Sequence, residues 1–356
     1  MTSRAGFSLV EALVATALLV TVSGAVLALV VPGAAGAQAR PEAVDMQQRA
    51  RVAGDELRRD LTMAGAGVGA GPRTGALSRF IAPIVPRRAG LLQADAYDVA
   101  RADAVTIRYA AATFSQASTS DLLTFSGALR LVPWPNCPMG RPVCGYAVGT
   151  DLLVFDPAGT FDAYTVTAVA GDTATLAAHR PDMASTYAAG AVVTPAETHV
   201  YWFDRANRQL RRYDGYRTDV PVADNVVGVA FEYYGDPRPP ARPKPPAGTA
   251  NCLYDAAGVA VPMATLPADG GSLAPLPLAI FTDGPWCGEG ANRFDADLLR
   301  VRRVRARILV QAAHASLRAT GPSYAVPGTA RSAHRALPDL GIVVDVTPRN
   351  LNEGRR

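Results

Sequence analysis

The periodicity of apolar positions changes twice along this chain, and each change marks a new kind of element. From Phe7 to Val31 the chain is apolar for 25 residues, interrupted by one acid, Glu11. As a helix this stretch is long enough to cross a hydrocarbon core of about 30 Å. Pro32-Gly33 follows it. From Pro41 to Ala64 the pattern becomes amphipathic, with Met46, Ala50, Ala53, Leu57, Leu61 and Ala64 recurring at spacings of three and four. Arg49, Asp55, Glu56, Arg58, Arg59 and Asp60 are expected on the opposite face. Pro41 suits a first helical turn and Gly65 a C-terminal cap. This second stretch is expected to continue the first helix, with a kink at Pro32-Gly33, and to pack its stripe on a β domain.

Beyond about residue 100, alternating and β-branched runs dominate and predict strands. They are Ala104–Ala110, Leu122–Phe125, Leu152–Phe155, Tyr164–Val169, Ala191–Thr194, His199–Phe203, Gln209–Tyr213, Val226–Tyr234, Leu298–Gln311 and Ile342–Val346. Thr198–Phe203 and Gln209–Tyr213 read as a hairpin around Asp204–Arg208. The expected fold class is α+β: a long N-terminal helix, membrane-spanning in its first half, packed on a large antiparallel β-rich head. The organisation reads as a leader at 1–6, a transmembrane helix at 7–31 and its amphipathic continuation at 32–65. An irregular linker at 66–103 and a head at 104–356 follow. Within the head, the Pro-rich run Asp236–Pro246 cannot form helix or central strand. With the cysteines that follow it opens a loop excursion at 236–290, either partner-facing or an inert insertion.

Composition adds constraints. Apolar residues make up 49% and charged residues 19%, enough for a sizeable core in a chain of 356 residues. The net charge of +4 is carried mostly by Arg. Arg303, Arg305 and Arg307 alternate with Val304, Ala306 and Ile308, giving a strand with one buried and one basic face. That face could meet nucleic acid or an acidic partner, although a solvated strand face is the ordinary reading. Four cysteines allow three pairings. Cys137–Cys144 with Cys252–Cys287 closes the shortest loops and is favoured, as befits an exported body.

Catalytic signals are missing. The four His residues are scattered, and Gly65–Gly71 lacks the Lys-Ser/Thr of a phosphate loop and follows a helix. Asp295 and Asp297 read as turn residues, too few to satisfy Ca²⁺. No enzyme activity, cofactor or metal is expected.

The most specific chemistry lies at the N-terminus. A carboxylate inside a bilayer costs a few kcal/mol and is usually paired and functional. An ordinary secretory signal has no use for Glu11, although Ala37-Gln38-Ala39 fits a signal peptidase site. Arg4 precedes the apolar run and the next basic residue is Arg40, so the leader should stay cytoplasmic and the body be exported.

The run Arg4-Ala5-Gly6-Phe7-Ser8-Leu9-Val10-Glu11-Ala12-Leu13-Val14-Ala15 resembles the prepilin signal of type IV pilins and type II secretion pseudopilins. The resemblance implies cleavage after Gly6 by a prepilin peptidase, N-methylation of Phe7, and a subunit-assembly role for Glu11. In that role the carboxylate pairs with the new α-amino group of a neighbouring subunit. Gln47–Gly65, Val200–Phe203 with Leu210–Tyr213, and Pro221–Val227 with Phe231–Tyr234 resemble PilW-type minor pilins and J-type pseudopilins. The implied protein is a non-catalytic minor pilin that helps initiate a type IV pilus. A type II secretion pseudopilin, or a tip adhesin or DNA-uptake subunit, is the alternative. Its implied partners are the prepilin peptidase, other pilins or pseudopilins, an inner-membrane assembly platform and membrane lipid. Its implied location is the inner membrane, then the filament.

Overall fold

A computed structural model of the chain describes residues 8–66, 82–90, 93–110, 116–118, 120–122, 126–133, 137, 143, 146, 148–149, 151–156, 161–178, 186–215, 217–268, 273–288, 293–330 and 336–352. The chain divides into two compact units. One comprises Met1–Ala50 with Val310–Leu340, the other Arg51–Leu309 with Gly341–Arg356.

A single helix, α1 (Leu9–Met63), opens the chain. It runs through Pro32-Gly33 and Pro41 without interruption, so Pro41 is interior and does not open a new first turn. Each proline removes one backbone donor, a loss that a helix already propagating from both sides absorbs. Beyond Met63 the chain turns at Gly65, whose φ of +75° is left-handed, and the Gly65 amide donates to the Arg108 carbonyl at 2.9 Å. A glycine costs nothing there.

The expected stripe is buried throughout: Met46, Ala50, Ala53, Leu57, Leu61 and Ala64 are all at most 3% exposed. One residue assigned to the opposite face joins them, because Asp60 is 0% exposed. Asp60 completes a spacing of four and three from Ala53 through Leu57 to Ala64, so helix geometry puts it on the apolar side.

The strands are β1 (Ile84–Val85), β2 (Ala104–Ala110), β3 (Gln116–Ala117), β4 (Ser126–Arg130), β5 (Asp151–Phe155), β6 (Phe161–Ala170), β7 (Thr173–Ala178) and β8 (Val192–Asp204). They continue with β9 (Gln209–Tyr213), β10 (Asp219–Asp224), β11 (Val226–Gly235), β12 (Ala274–Leu276), β13 (Trp286–Cys287), β14 (Phe294–Asp295), β15 (Val301–Val310) and β16 (Leu340–Val346). The architecture is α+β, and every pairing whose register is resolved is antiparallel.

The largest sheet runs β1-β2-β8-β5-β6-β7-β4, with β3 and β9 also on β8 and β10 on β9. A second sheet runs β12-β11-β15-β16, and β13 pairs β14. The two strands expected at Ala191–Thr194 and His199–Phe203 are one strand, β8. Pro195 opposes Leu152 of β5, and the next residue, Ala196, opposes Ala110 of β2. The proline sits where β8 changes partner, a point at which a missing ladder donor is tolerated. The strand expected at Leu298 begins only at Val301, after a 3₁₀ turn at Ala296–Arg300. The stretch Pro221–Tyr234 splits at Asn225, whose φ of +55° ends β10 before β11 starts. Residues 123–125 of the expected strand Leu122–Phe125 lie outside the described residues.

The 236–290 excursion is anchored at its base. Arg300, 1% exposed, donates from Nη1 to the Pro237 carbonyl at 3.3 Å and from Nη2 to the Ala264 carbonyl at 2.8 Å. A disulfide joins Cys252 to Cys287. Cys137 is also disulfide-bonded, and Cys144 lies outside the described residues.

In the first unit, the segment 310–340 provides α1 with a small core in which Met46 packs with Ala312 and Leu317, backed by Ala39, Leu337 and Leu340. Glu42 accepts hydrogen bonds from Arg49 and from the Ala313 amide, each 2.7 Å long. Arg49, expected on the solvent face, is thereby half-buried and also reaches the Gln311 carbonyl at 3.3 Å.

Candidate functional site

Among the residues singled out at the N-terminus, Gly6 and Phe7 lie outside the described residues, and Glu11 lies in the first turn of α1. The Ser8 amide donates to Glu11 Oε2 at 3.0 Å, and the Glu11 amide donates to Ser8 Oγ at 3.2 Å. This reciprocal pair is a capping box, which satisfies two of the backbone donors that a helix start leaves open. The carboxylate also sits at the positive end of the helix dipole. From Leu9 to Val26 the helix has a mean hydropathy of 2.1 over 18 residues, none of them buried. It is compatible with a single membrane-spanning segment.

A polar cluster that the sequence reading missed lies where the C-terminal half of α1 meets the large sheet. Asp60 Oδ2 accepts hydrogen bonds from the His199 Nδ1 and, at 2.5 Å, from the Tyr201 hydroxyl. The Tyr109 hydroxyl donates to Asp60 Oδ1 at 3.4 Å. His199 and Tyr201 are two apart on β8 and therefore share a face, while Ile107 and Val105 of β2 stand opposite them. The other imidazole nitrogen, Nε2, lies 3.2 Å from Glu197 Oε2. Just outside, Arg212 of β9 pairs with Glu56 of α1 at 2.8 Å.

Burial alone would push the Asp60 carboxyl up, yet the His199 and Tyr201 hydrogen bonds hold it below its ordinary value. Burial likewise disfavours a charged imidazole, but the bonds to Asp60 and Glu197 hold His199 above its ordinary value. With both ring nitrogens engaged by carboxylates, this histidine has no free lone pair with which to act as a base. The cluster ties helix to sheet. The available signal was the spacing that places Asp60 in the apolar stripe.

The basic face of β15 is paired. Arg302 meets Asp236 at 2.9 Å, Arg305 meets Asp345 at 2.7 Å, and Arg307 meets Glu232 at 2.8 Å. Arg303 stacks over the Tyr234 ring at 4.1 Å and lies 3.7 Å from Asp345. The face pattern is as expected, with Val304, Ala306, Ile308 and Val310 buried. Glu232 of β11 and Asp345 of β16, with Asp236 just past the end of β11, supply the acids that offset the arginines.

Asp295 and Asp297 are joined by Asp283, one carboxylate oxygen from each lying within 4.8 Å of the others. Asp295 ends β14 and Asp297 lies in the 3₁₀ turn that follows it; both are buried, and burial pushes Asp295 up to about 6 and Asp297 up to about 7. The Asp283 charge adds to both shifts. Asp297 is ion-paired to Arg300 at 2.5 Å, and Asp295 accepts from the Gly284 and Asp297 amides at 2.6 and 2.8 Å. Protein groups thus engage Asp295 and Asp297, the two buried members of the trio.

No protein-family model matches the chain, and no characterised protein or solved structure does either.

Proposed function

We propose that this chain is a minor pilin, a structural subunit that helps initiate a type IV pilus. The reading rests on one observation above others. An apolar stretch with no cover in its own chain, Leu9–Val26, continues as the same helix into the segment that packs on a β-rich body. Glu11 is the only charged side chain in that stretch.

An uncovered apolar helix is stable only in lipid or against other such helices. A carboxylate within it requires a cationic partner there. Cleavage after Gly6 would create one, the α-amino group of Phe7 on a neighbouring subunit. The capping box then has a physical use, since Ser8 and the helix dipole stabilise the Glu11 carboxylate before that partner arrives. Under this reading the head is exported and the partners are the prepilin peptidase, other pilins, the assembly platform and membrane lipid. A type II secretion pseudopilin would use the same chemistry. The paired arginines of β15 leave little unbalanced positive charge to support a DNA-uptake role.

Mass spectrometry of the mature chain tests the reading. A start at methylated Phe7 is expected, and a start at Arg40 would overturn it. Glu11→Ala is expected to insert into the membrane normally yet fail to enter filaments.

A further inference from the structure

We propose that His199 is held as a doubly protonated imidazolium that latches the C-terminal half of α1 onto β8, and that losing one of its protons weakens the latch. The argument does not depend on the pilin reading. Nδ1 faces Asp60 and Nε2 faces Glu197. Ionised carboxylates only accept hydrogen bonds, so both contacts are satisfied together only if each ring nitrogen carries a hydrogen. A neutral imidazole would leave one nitrogen lone pair against a carboxylate. Where Asp60 is 0% exposed, that mismatch has no water to relieve it.

The surrounding groups agree with this assignment. The α1 side contributes the anion Asp60, with Arg59 at 3.8 Å from it and Glu56 beyond. From β2, Tyr109 stands edge-on to the imidazole at 5.7 Å and donates to Asp60. From β8, Tyr201 donates to Asp60 and Glu197 faces Nε2. Arg212 of β9 opposes protonation by its charge, which is shared with Glu56.

The sign of the pH effect follows from linkage. The His199 value is raised on folding, so its contribution is complete below the unfolded value of about 6.5 and is lost as pH rises through the folded value. The Asp60 value is lowered, so its contribution is complete above about 4 and is lost as pH falls through the folded value. The latch is therefore strongest between about pH 4 and 6.5 and weakens on both sides of that window.

The test uses the full-length protein in detergent. Hydrogen exchange of peptides covering 51–63 is followed against pH after correction for intrinsic rates, together with ¹⁵N imidazole shifts. The His199 resonance, assigned by its loss in His199→Gln, should report two protonated nitrogens at neutral pH. Exchange should accelerate about tenfold for each unit by which folding raises the His199 value, as pH passes through that value. Glu197→Gln, altering a half-exposed residue, should make this acceleration smaller and end it at lower pH, with the fold intact. A neutral His199 ring at neutral pH, or the same exchange step in His199→Gln, would overturn the proposal.

Discussion

Gly235, the last residue of β11, lies directly under the Arg300 carbonyl: a β-carbon on Gly235 would stand 2.1 Å from that oxygen. The obstacle is backbone that also accepts from the Asp236 amide at 3.0 Å, so it cannot step aside as a side chain would. Gly235→Ala is expected to destabilise the protein by about 3 kcal/mol, the upper part of the range for overpacking. Urea denaturation checks this, and a loss below about 1 kcal/mol would show that the β11 end relaxes freely.

The disulfide between Cys252 and Cys287 spans a sequence separation of 35. In the chain-entropy view, closing such a loop stabilises the fold by about 4 kcal/mol. Cys252→Ser with Cys287→Ser should therefore lower the melting temperature. It should also make the 236–290 segment the first site of limited proteolysis, because its covalent tie would be gone and only non-covalent ones, the Arg300 contacts and the β11–β12 and β13–β14 pairings among them, would remain. Unchanged cleavage would show that these non-covalent contacts suffice.

Glu232 and Asp345 hold the arginines of β15 in check. Both are near the surface, so Glu232→Gln with Asp345→Asn should change stability by less than about 1 kcal/mol. The same double variant should elute from heparin at distinctly higher salt than the wild type. If the two proteins elute together, the arginine face is not accessible to a polyanion.

Asp283 is the exposed member of the acidic trio. Burial first, and the Asp283 charge in addition, hold Asp295 and Asp297 near 6 and 7. A raised carboxyl value favours the protonated form in the folded state. The contribution of Asp295 and Asp297 is thus complete below about 4 and is lost as pH rises through 6 to 7. Asp283→Asn should flatten this decline and raise stability at neutral pH by less than about 1 kcal/mol. Denaturant midpoints at about pH 5 and pH 7 measure the difference, and an unchanged slope would remove Asp283 from the account.

Much of the architecture was legible because periodicity reports burial. The helix stripe from Met46 to Ala64 and the alternation along β15 need no tertiary information. Other features depend on partners distant in sequence. Asp60 looked like a surface acid because its companions, His199 and Tyr201, lie about 140 residues away. Pro195 divided β8 in the sequence reading, since nothing local reveals that a strand changes neighbours at a proline. The acidic pair Asp295 and Asp297 was visible, while Asp283 joined it only through the fold of the β13–β14 hairpin and Arg300 through the 3₁₀ turn that follows. The segment 310–340 has no period of either kind, and its packing against α1 went unread.

That last segment bears on the order in which the molecule can assemble. The bonds that Glu42 and Arg49 make to Ala313 and Gln311 bridge 271 and 262 residues. The helix is made early and the segment that sheathes residues 39–49 is made late. Until the ribosome has passed about Leu340, Met46 lacks the Ala312, Leu317, Leu337 and Leu340 side chains that pack on it. A nascent chain therefore carries this part of the helix without its native neighbours through most of its synthesis, which makes the first unit late to close.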